Sequence, residues 1–547
     1  SAFAGTAAAQ TSITSASLGG TVSDASGGVL WRAAVRAVHV QRNHTWTALT
    51  NEEGRYRFLA LPPGEYRVRA EHPCCAPAEA TLVLEAGETG EAPLRLALET
   101  ERQRVEVTAG LPAVDLARTQ ASSHVTPREI ESLPLNGRNY LDLALLAPAV
   151  SRTNTGSNQR FAETSAIPGS GISIAGQRNL NNSFLVDGLS ADDDAADLAG
   201  AYYSQEVVRE FQVITSGGIA EYGRASAGVV NVVTKSGTNG WHGRGYGFFR
   251  NQRFDARNPI FTRKDPLTQA QYGATGAGPL ARNRTFLFAN FEQARQNAAG
   301  FVTIGAAEAR AIESAIGRPV HTGEYPSGLD TATGFARVDH HAGAARLYSA
   351  RYAVYDVASE NARSVGGLND VSRGSNLFKR DHTLALSALH TISATTLLEV
   401  RAQFTRSRLA APANDPHGPA INISGVVNVG TAVSSPTARD NGLFEAAASL
   451  ATVRGRHTWK LGGGYLENRL RIAFPGSRAS IRSPRSPTCA PDGTSRISRP
   501  SAPRCRSSSI PISARLSRTS GARALRLPST GAHAMTCSGC CVAFTRT

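Results

Sequence analysis

From about residue 241 the chain alternates apolar with polar residues in runs of about ten. The runs lie in WHGRGYGFFRNQRFDARN, NRTFLFANFEQARQ, GFARVDHHAGAARLYSARYAVYD, HTLALSALHTISATTLLEVRAQFTRS and LFEAAASLATVRGRHTWKLGGGYLENRLRI. Successive side chains of a strand point to opposite faces, so such alternation sorts apolar groups to one side and polar groups to the other. At this length it is the pattern of a transmembrane antiparallel barrel, apolar towards lipid and polar towards the lumen. In RTFLFANFE, Phe286, Phe288 and Phe291 are read as largely sharing one side. In HTWKLGGGYLENRLRI, Trp459, Leu461, Tyr465 and Leu470 mix with charged partners that face water. About eight such strands are expected before residue 475. No run of about 18 apolar residues exists, so no helix crosses a membrane.

Charge must be read segment by segment. The formal net charge is +15, a balance that would ordinarily point to nucleic acid or an anionic surface. Residues 475–547, however, carry twelve Arg, no Lys and one acid, Asp492, which is +11 of the total. The first 474 residues are left with only +4, and nucleic acid is not an expected partner. The same tail has no Tyr or Trp, one Phe, and abundant Ser, Arg and Pro. Such a composition buries too little apolar surface to offset chain entropy. The tail is expected to be disordered and to arise from a frameshift near residue 475, which would leave this chain an incomplete, non-functional version of a longer one. A natural basic tail binding acidic partners is the alternative.

Residues 18–98 hold LGGTVSD, AAVRAVHVQ, TWTALTN, GRYRFLAL, GEYRVRAEH, EATLVLE and APLRLALE, short alternating segments joined by turns. They predict a seven-stranded β-sandwich. Tyr56 and Phe58 share a strand face, Pro62-Pro63-Gly64 reverses the chain, and Tyr66 and Val68 return to the core. The segment TNEEGRYRFLALPPGEYRVRAEHP resembles the carboxypeptidase regulatory-like domain, a transthyretin-like sandwich also grouped with carbohydrate-binding folds. Upstream, SAFAGTAAAQ reads as the end of a secretory signal cleaved near Ala9, so residues 1–17 are residual signal and linker.

Residues 171–235 contain FLVDG, VREFQVIT and GVVNVVTKSG, strand-like segments bounded by Gly, Asn and Asp clusters. Before them, Thr126-Pro127 can start a helix bearing Ile130 and Leu133, and Asn136 to Asn139 cap a second apolar helix, Tyr140 to Leu146. GQR…NNSFLVDG followed by QEVVREFQVITSGGIAEYGRASAGVVNVVTKSGTN resembles the plug of TonB-dependent outer-membrane receptors. LPLNGRNYLDLALLAPAV and QYGATGAGPLARNRTFLFANFE are similar to the Oar-like group of that family.

The resemblance implies a mainly β chain: the sandwich, an α+β plug over 111–238, and the first part of a barrel over 239–474. It implies a receptor or transporter in the bacterial outer membrane that takes up an unidentified extracellular substrate, with TonB and outer-membrane lipid as partners. It also implies that residues 99–110 are a linker with a TonB box at Val105, Glu106, Val107, Thr108 and Ala109. An unpaired extended segment of this kind can add to a partner's sheet edge; the alternative is that it is simply the last strand of the sandwich or the first of the plug. The plug motif comprises Gly176, Gln177, Arg178, Asn182, Asp187, Gly188, Glu221, Tyr222, Gly223 and Gly228. A non-transporting surface or periplasmic protein that binds glycan or protein through the sandwich is the alternative.

No catalytic, cofactor or metal site is expected. Cys537-x-x-Cys540 has no second pair at a zinc-ribbon distance, and adjacent Cys74 and Cys75 seldom bridge each other. His321 and Glu324 match half of a zinc carboxypeptidase site but lack a third ligand and a base. Asp192, Asp193, Asp194 and Asp197 lack the Gly turn and distal Glu of a calcium loop and are read as a solvated loop. No nucleophile elbow, phosphate loop or dinucleotide fingerprint occurs.

Overall fold

The computed structural model describes residues 13–97, 107–108, 120–153, 161, 165–196, 198–217, 220–257, 264–431, 438–454, 457–473, 480–483 and 541–543. Residues 1–12, expected to be residual signal and linker, as well as Val105, Glu106, Ala109, Asp197 and most of the tail, lie outside these residues. Of the tail, Ser480–Ser483 runs parallel to Ala420–Ile423, and Cys541–Ala543 pairs antiparallel with Lys460–Gly462.

The N-terminal sandwich has one sheet built from Ala16–Asp24, Arg55–Leu61, Thr89–Glu91 and Leu94–Leu96. The other is formed by His44–Leu49, Ala34–His39, Gly64–His72 and Cys75–Leu84, with Val107–Thr108 added at its edge. Period-two alternation sends Leu18, Val35, Tyr56, Phe58, Tyr66, Val68 and Leu82 into one core. Two phenols in that core find carbonyls. Tyr56 donates to Ala92 O at 2.7 Å and Tyr66 to Pro62 O at 2.6 Å, so neither hydroxyl is buried unpaired.

A central unit follows, with a five-stranded sheet in the order Ala121–Val125, Val208–Ser216, Val229–Thr234, Ser183–Val186, Leu189–Ser190. The expected first helix forms over Pro127–Ser132. Thr126 and Glu129 close a capping box, and Pro127 sits where its missing N–H costs nothing. The second is not an α-helix. Tyr140–Leu146 is a 3-10 segment capped by Asn139, and it packs Tyr140, Leu141, Leu143 and Ala144 against Phe211 and Val213. Seven residues between two extended caps leave little room for i→i+4 bonding, and burial, not propensity, holds the segment.

The third part is one curved antiparallel sheet. Its nine long strands among the described residues are His242–Asn251, Leu267–Ala281, Thr285–Val302, Leu329–His341, Arg346–Arg363, Ser375–Ser393, Thr396–Ala410, Ala438–Arg454 and His457–Ala473. The run HTLALSALHTISATTLLEVRAQFTRS holds two of them, joined by a tight turn at Ser393–Thr396. Alternation is clear in Thr396–Ala410, where Glu399, Arg401 and Gln403 are buried inward while Val400 and Phe404 are exposed outward. Trp459, Leu461 and Tyr465 are likewise exposed on the outer face. Phe291 departs from the expected grouping. Phe286 and Phe288 are buried, but Phe291 is 51% exposed, because an odd spacing from Phe288 puts it on the opposite face.

The two ends of this sheet differ. One carries short turns at 282–284, 342–345 and 394–395, and the other carries long connections such as 303–328, which includes the helix Ala306–Ile316. Short turns mark the periplasmic end of an outer-membrane barrel and long loops the outer end. The sandwich sits at the short-turn end. Asn239 donates to Gln41 O at 3.0 Å and to Arg42 O at 2.6 Å, and Leu59 and Ala60 pack on Leu397 and Ala451.

Candidate functional site: the seam between the central unit and the curved sheet

The inner face of the sheet meets the central unit through charged side chains, and several motif residues lie along that seam. Asp187 and Gly188 form the two-residue turn between Ser183–Val186 and Leu189–Ser190, with φ of 49° and 74°. An Asp-Gly pair suits such a turn because both positions need positive φ. Asp187 accepts from the backbone N (2.9 Å) and hydroxyl (2.8 Å) of Thr234, which fixes its carboxylate. It then faces Arg337 at 3.4 Å and Arg351 at 3.3 Å, both on inward positions of the sheet. Arg351 also donates to Val186 O (2.9 Å) and the Tyr203 hydroxyl (3.0 Å). Arg337 further bonds Asp339 at 3.0 Å, and Asp339 takes Arg42 of the sandwich at 3.4 Å. All three parts of the chain therefore meet in one chain of charges.

Glu221 forms a second centre. Arg401 approaches it at 2.8 Å, and Lys460 pairs with its other oxygen. Burial alone would raise the Glu221 carboxyl, but Lys460 and Arg401 outweigh it and hold the group below its ordinary value. Gly188 also belongs here, since an added Cβ would run into the Arg401 guanidinium. Tyr222 is buried beside Ile13, Ile214 and Val229.

The remaining motif residues shape the central unit. Gly176, at φ 72°, turns the chain after Ile172–Ile174, and Gln177 N closes that turn on Ile174 O at 3.0 Å. Arg178 is exposed and precedes the 3-10 turn Asn179–Asn181. Asn182 is buried and donates to Ile172 O at 2.7 Å. A Cβ at Gly228 would strike Ile174, whereas Gly223 has open space around it.

Of the aspartates read as a solvated loop, Asp192, Asp193 and Asp194 are drawn into the fold. Asp192–Asp193 is a short strand paired with Leu198–Ala199. Asp193 is buried and meets Arg439 at 3.3 Å, and Asp194 pairs with Arg224 and accepts from Asn468. Desolvation pushes Asp192 up to about 7, although Phe184 N donates to it at 2.7 Å. Arg439 on the sheet and Arg224 within the central unit supply the positive charge a metal would, and only the fold brings them there. His321 turns its ring to Glu324 O at 2.6 Å, on an exposed loop.

Sequence reasoning missed the basic residues Arg337, Arg351, Arg401, Arg439 and Lys460. Strand parity was the available signal. Arg401 stands at an odd spacing from both Val400 and Phe404, which face outward, so it falls inward with Glu399 and Gln403.

The seam's geometry can be set beside known proteins. Residues 17–99 match the carboxypeptidase regulatory-like domain, and residues 233–323 and 314–481 match the outer membrane beta barrel domain. The TonB-dependent transporter Oar of Myxococcus xanthus is 29% identical over 262 residues, which cover 45% of this chain and 23% of that relative. Over that stretch the chain is similar to Oar. Its barrel domain places it in the outer membrane. The match spans less than a quarter of the relative's length. The outer membrane transporter YddB from Escherichia coli has a TM-score of 0.48 at 13% identity, over 64% of this chain and 48% of that one. The siderophore receptor PirA from Acinetobacter baumannii has a TM-score of 0.45 at 16% identity, over 64% and 48%.

Proposed function

We propose that the chain is a version of a TonB-dependent receptor for uptake of an extracellular substrate, with residues 111–238 as its plug. The observation that carries this reading is the seam itself. Asp187, Asp193 and Glu221 of the central unit are each paired with basic groups on the inward face of an outer-membrane sheet. A plug held by ion pairs is seated firmly yet can be withdrawn into water, because charges regain hydration on leaving whereas an apolar seam would not. Opening then needs a pull from the periplasmic side, where the sandwich sits.

Residues 105–109 are the handle in this proposal. Among the described residues, Val107–Thr108 pairs parallel with Ala80–Thr81 at the sandwich edge. Strand addition would exchange that pairing for one with TonB through main-chain hydrogen bonds. A pull-down with the periplasmic domain of TonB tests the handle. Val107→Pro removes a donor and fixes φ, and binding is expected to be lost, while Val107→Ala retains most of it. Equal capture of the wild type and the Pro variant counts against residues 105–109.

A further inference from the structure

At the end of the sandwich remote from Arg42 and Ala86, the hairpin between Gly64–His72 and Cys75–Leu84 closes on His72, Pro73, Cys74 and Cys75. His72 and Cys75 are cross-strand partners, and Cys74 lies in the turn between them. The ligand atoms of His72, Cys74 and Cys75 all lie within 4.8 Å of one another. Both thiols are free, and Cys74 is exposed. His72 Nδ1 is 2.9 Å from Cys74 Sγ, and the backbone N of Cys74 donates to the same nitrogen at 3.4 Å. The lone pair of Nδ1 is therefore turned into the cluster, towards the sulfurs.

We propose that His72, Cys74 and Cys75 form a three-coordinate site for a soft monovalent cation, with Cu(I) as its best occupant. Two thiolates and an imidazole match that ion's preference for soft donors. Structural zinc takes four ligands, and no carboxylate or further imidazole belongs to this cluster among the described residues. The hairpin fixes two of the three donors through backbone pairing, so the entropy of gathering them is spent on folding. The site lies at the end of the hairpin opposite the seam, and its occupation is independent of the transport reading. Binding exchanges the two thiol protons for the ion. Because both ligand thiols must shed their protons, uptake strengthens as pH rises.

The test uses the full chain in detergent, reduced, with Cys489, Cys505, Cys537, Cys540 and Cys541 replaced by Ser so that only this pair of thiols remains. Competition against a chromogenic Cu(I) chelator should show one ion per chain, with two sulfur and one nitrogen neighbours by X-ray absorption. Cys74→Ser and Cys75→Ser should each weaken binding at least tenfold, and His72→Ala should remove the nitrogen neighbour. Cys74 is exposed, so its Ser variant should keep the wild-type melting temperature without copper. Undiminished Cu(I) uptake by Cys75→Ser overturns the site. Displacement of Cu(I) by equimolar Zn2+ overturns its assignment to a monovalent ion.

Discussion

Arg401 Nη2 lies 2.8 Å from Glu221 Oε1, and both side chains are largely buried, at 5% and 14% exposure. The two residues are far apart in sequence and belong to different parts of the fold, so their contact reports directly on whether the central unit is seated in the sheet. Lys460 shares the same carboxylate, and Glu399 stands 3.8 Å from Arg401.

Removing Glu221 should therefore unseat the central unit. Glu221→Ala leaves Arg401 and Lys460 buried near each other without their shared anion, at a cost of about 3–5 kcal/mol. The expected outcome is faster trypsin cleavage within residues 120–238 than in the wild type. Unchanged cleavage would show that the pair contributes little.

The same carboxylate gives an acid limb to stability. Its pKa is held below the ordinary value of 4.5, so its contribution is complete above that value and is lost as pH falls through the lower, folded one. Glu221→Gln should flatten this limb. Urea midpoints measured from about pH 6 down to about pH 3 provide the check, and parallel curves for wild type and variant would contradict it.

Glu210 has the opposite sign. Burial pushes it from 4.5 up to about 7, against the attraction of Arg209, while it accepts from Ala86 N at 2.7 Å. The folded state keeps a proton that the unfolded state releases, so this group's contribution is greatest below about pH 4.5 and falls as pH rises to about 7. The loss is on the order of 3 kcal/mol. Glu210→Gln retains an acceptor for Ala86 N and should remove the slope across that window. A variant as pH-sensitive as the wild type would remove Glu210 from the account.

Gly188→Ala should be more damaging than an ordinary turn substitution. The residue has φ 74°, which costs a Cβ-bearing residue about 1–2 kcal/mol, and the new methyl also meets Arg401. Gly223→Ala, in open space, is the control. Thermal unfolding should separate the two by several degrees, and equal melting points would count against a close approach at Gly188.

The segment 13–98 expressed alone should fold, because its core and its turns are internal to it. Tyr56→Phe and Tyr66→Phe should each lower its stability by about 1 kcal/mol through the loss of one buried hydrogen bond. A random-coil circular dichroism spectrum from the isolated segment would refute this.

Much of this architecture is readable from local chemistry. Tyr56, Phe58, Tyr66 and Val68 enter the sandwich core as period two requires, and Thr126-Pro127 with Glu129 starts a helix through contacts spanning only three residues. The Asp187-Gly188 turn is equally local, since positive φ at both positions is a property of those two residue types. Where local rules misled, a distant partner was responsible. Asp192 and Asp193 look solvated in sequence because Arg439 lies on a strand far along the chain, and a charge is legible as buried only when its counter-charge is known.

Local alternation specified the kinds of element: a sandwich from short alternating runs, a turn-rich central sheet, and long strands sorted into apolar outer and polar inner faces. It did so because backbone geometry ties side-chain direction to a period of two. Which inner-face charges meet which residues of the central unit was settled by packing in three dimensions. Arg42, Asp187, Arg337, Arg351 and Asp339 come from three separate parts of the chain, and Coulomb attraction acts on distance in space, which strand curvature and register set and which no local pattern encodes.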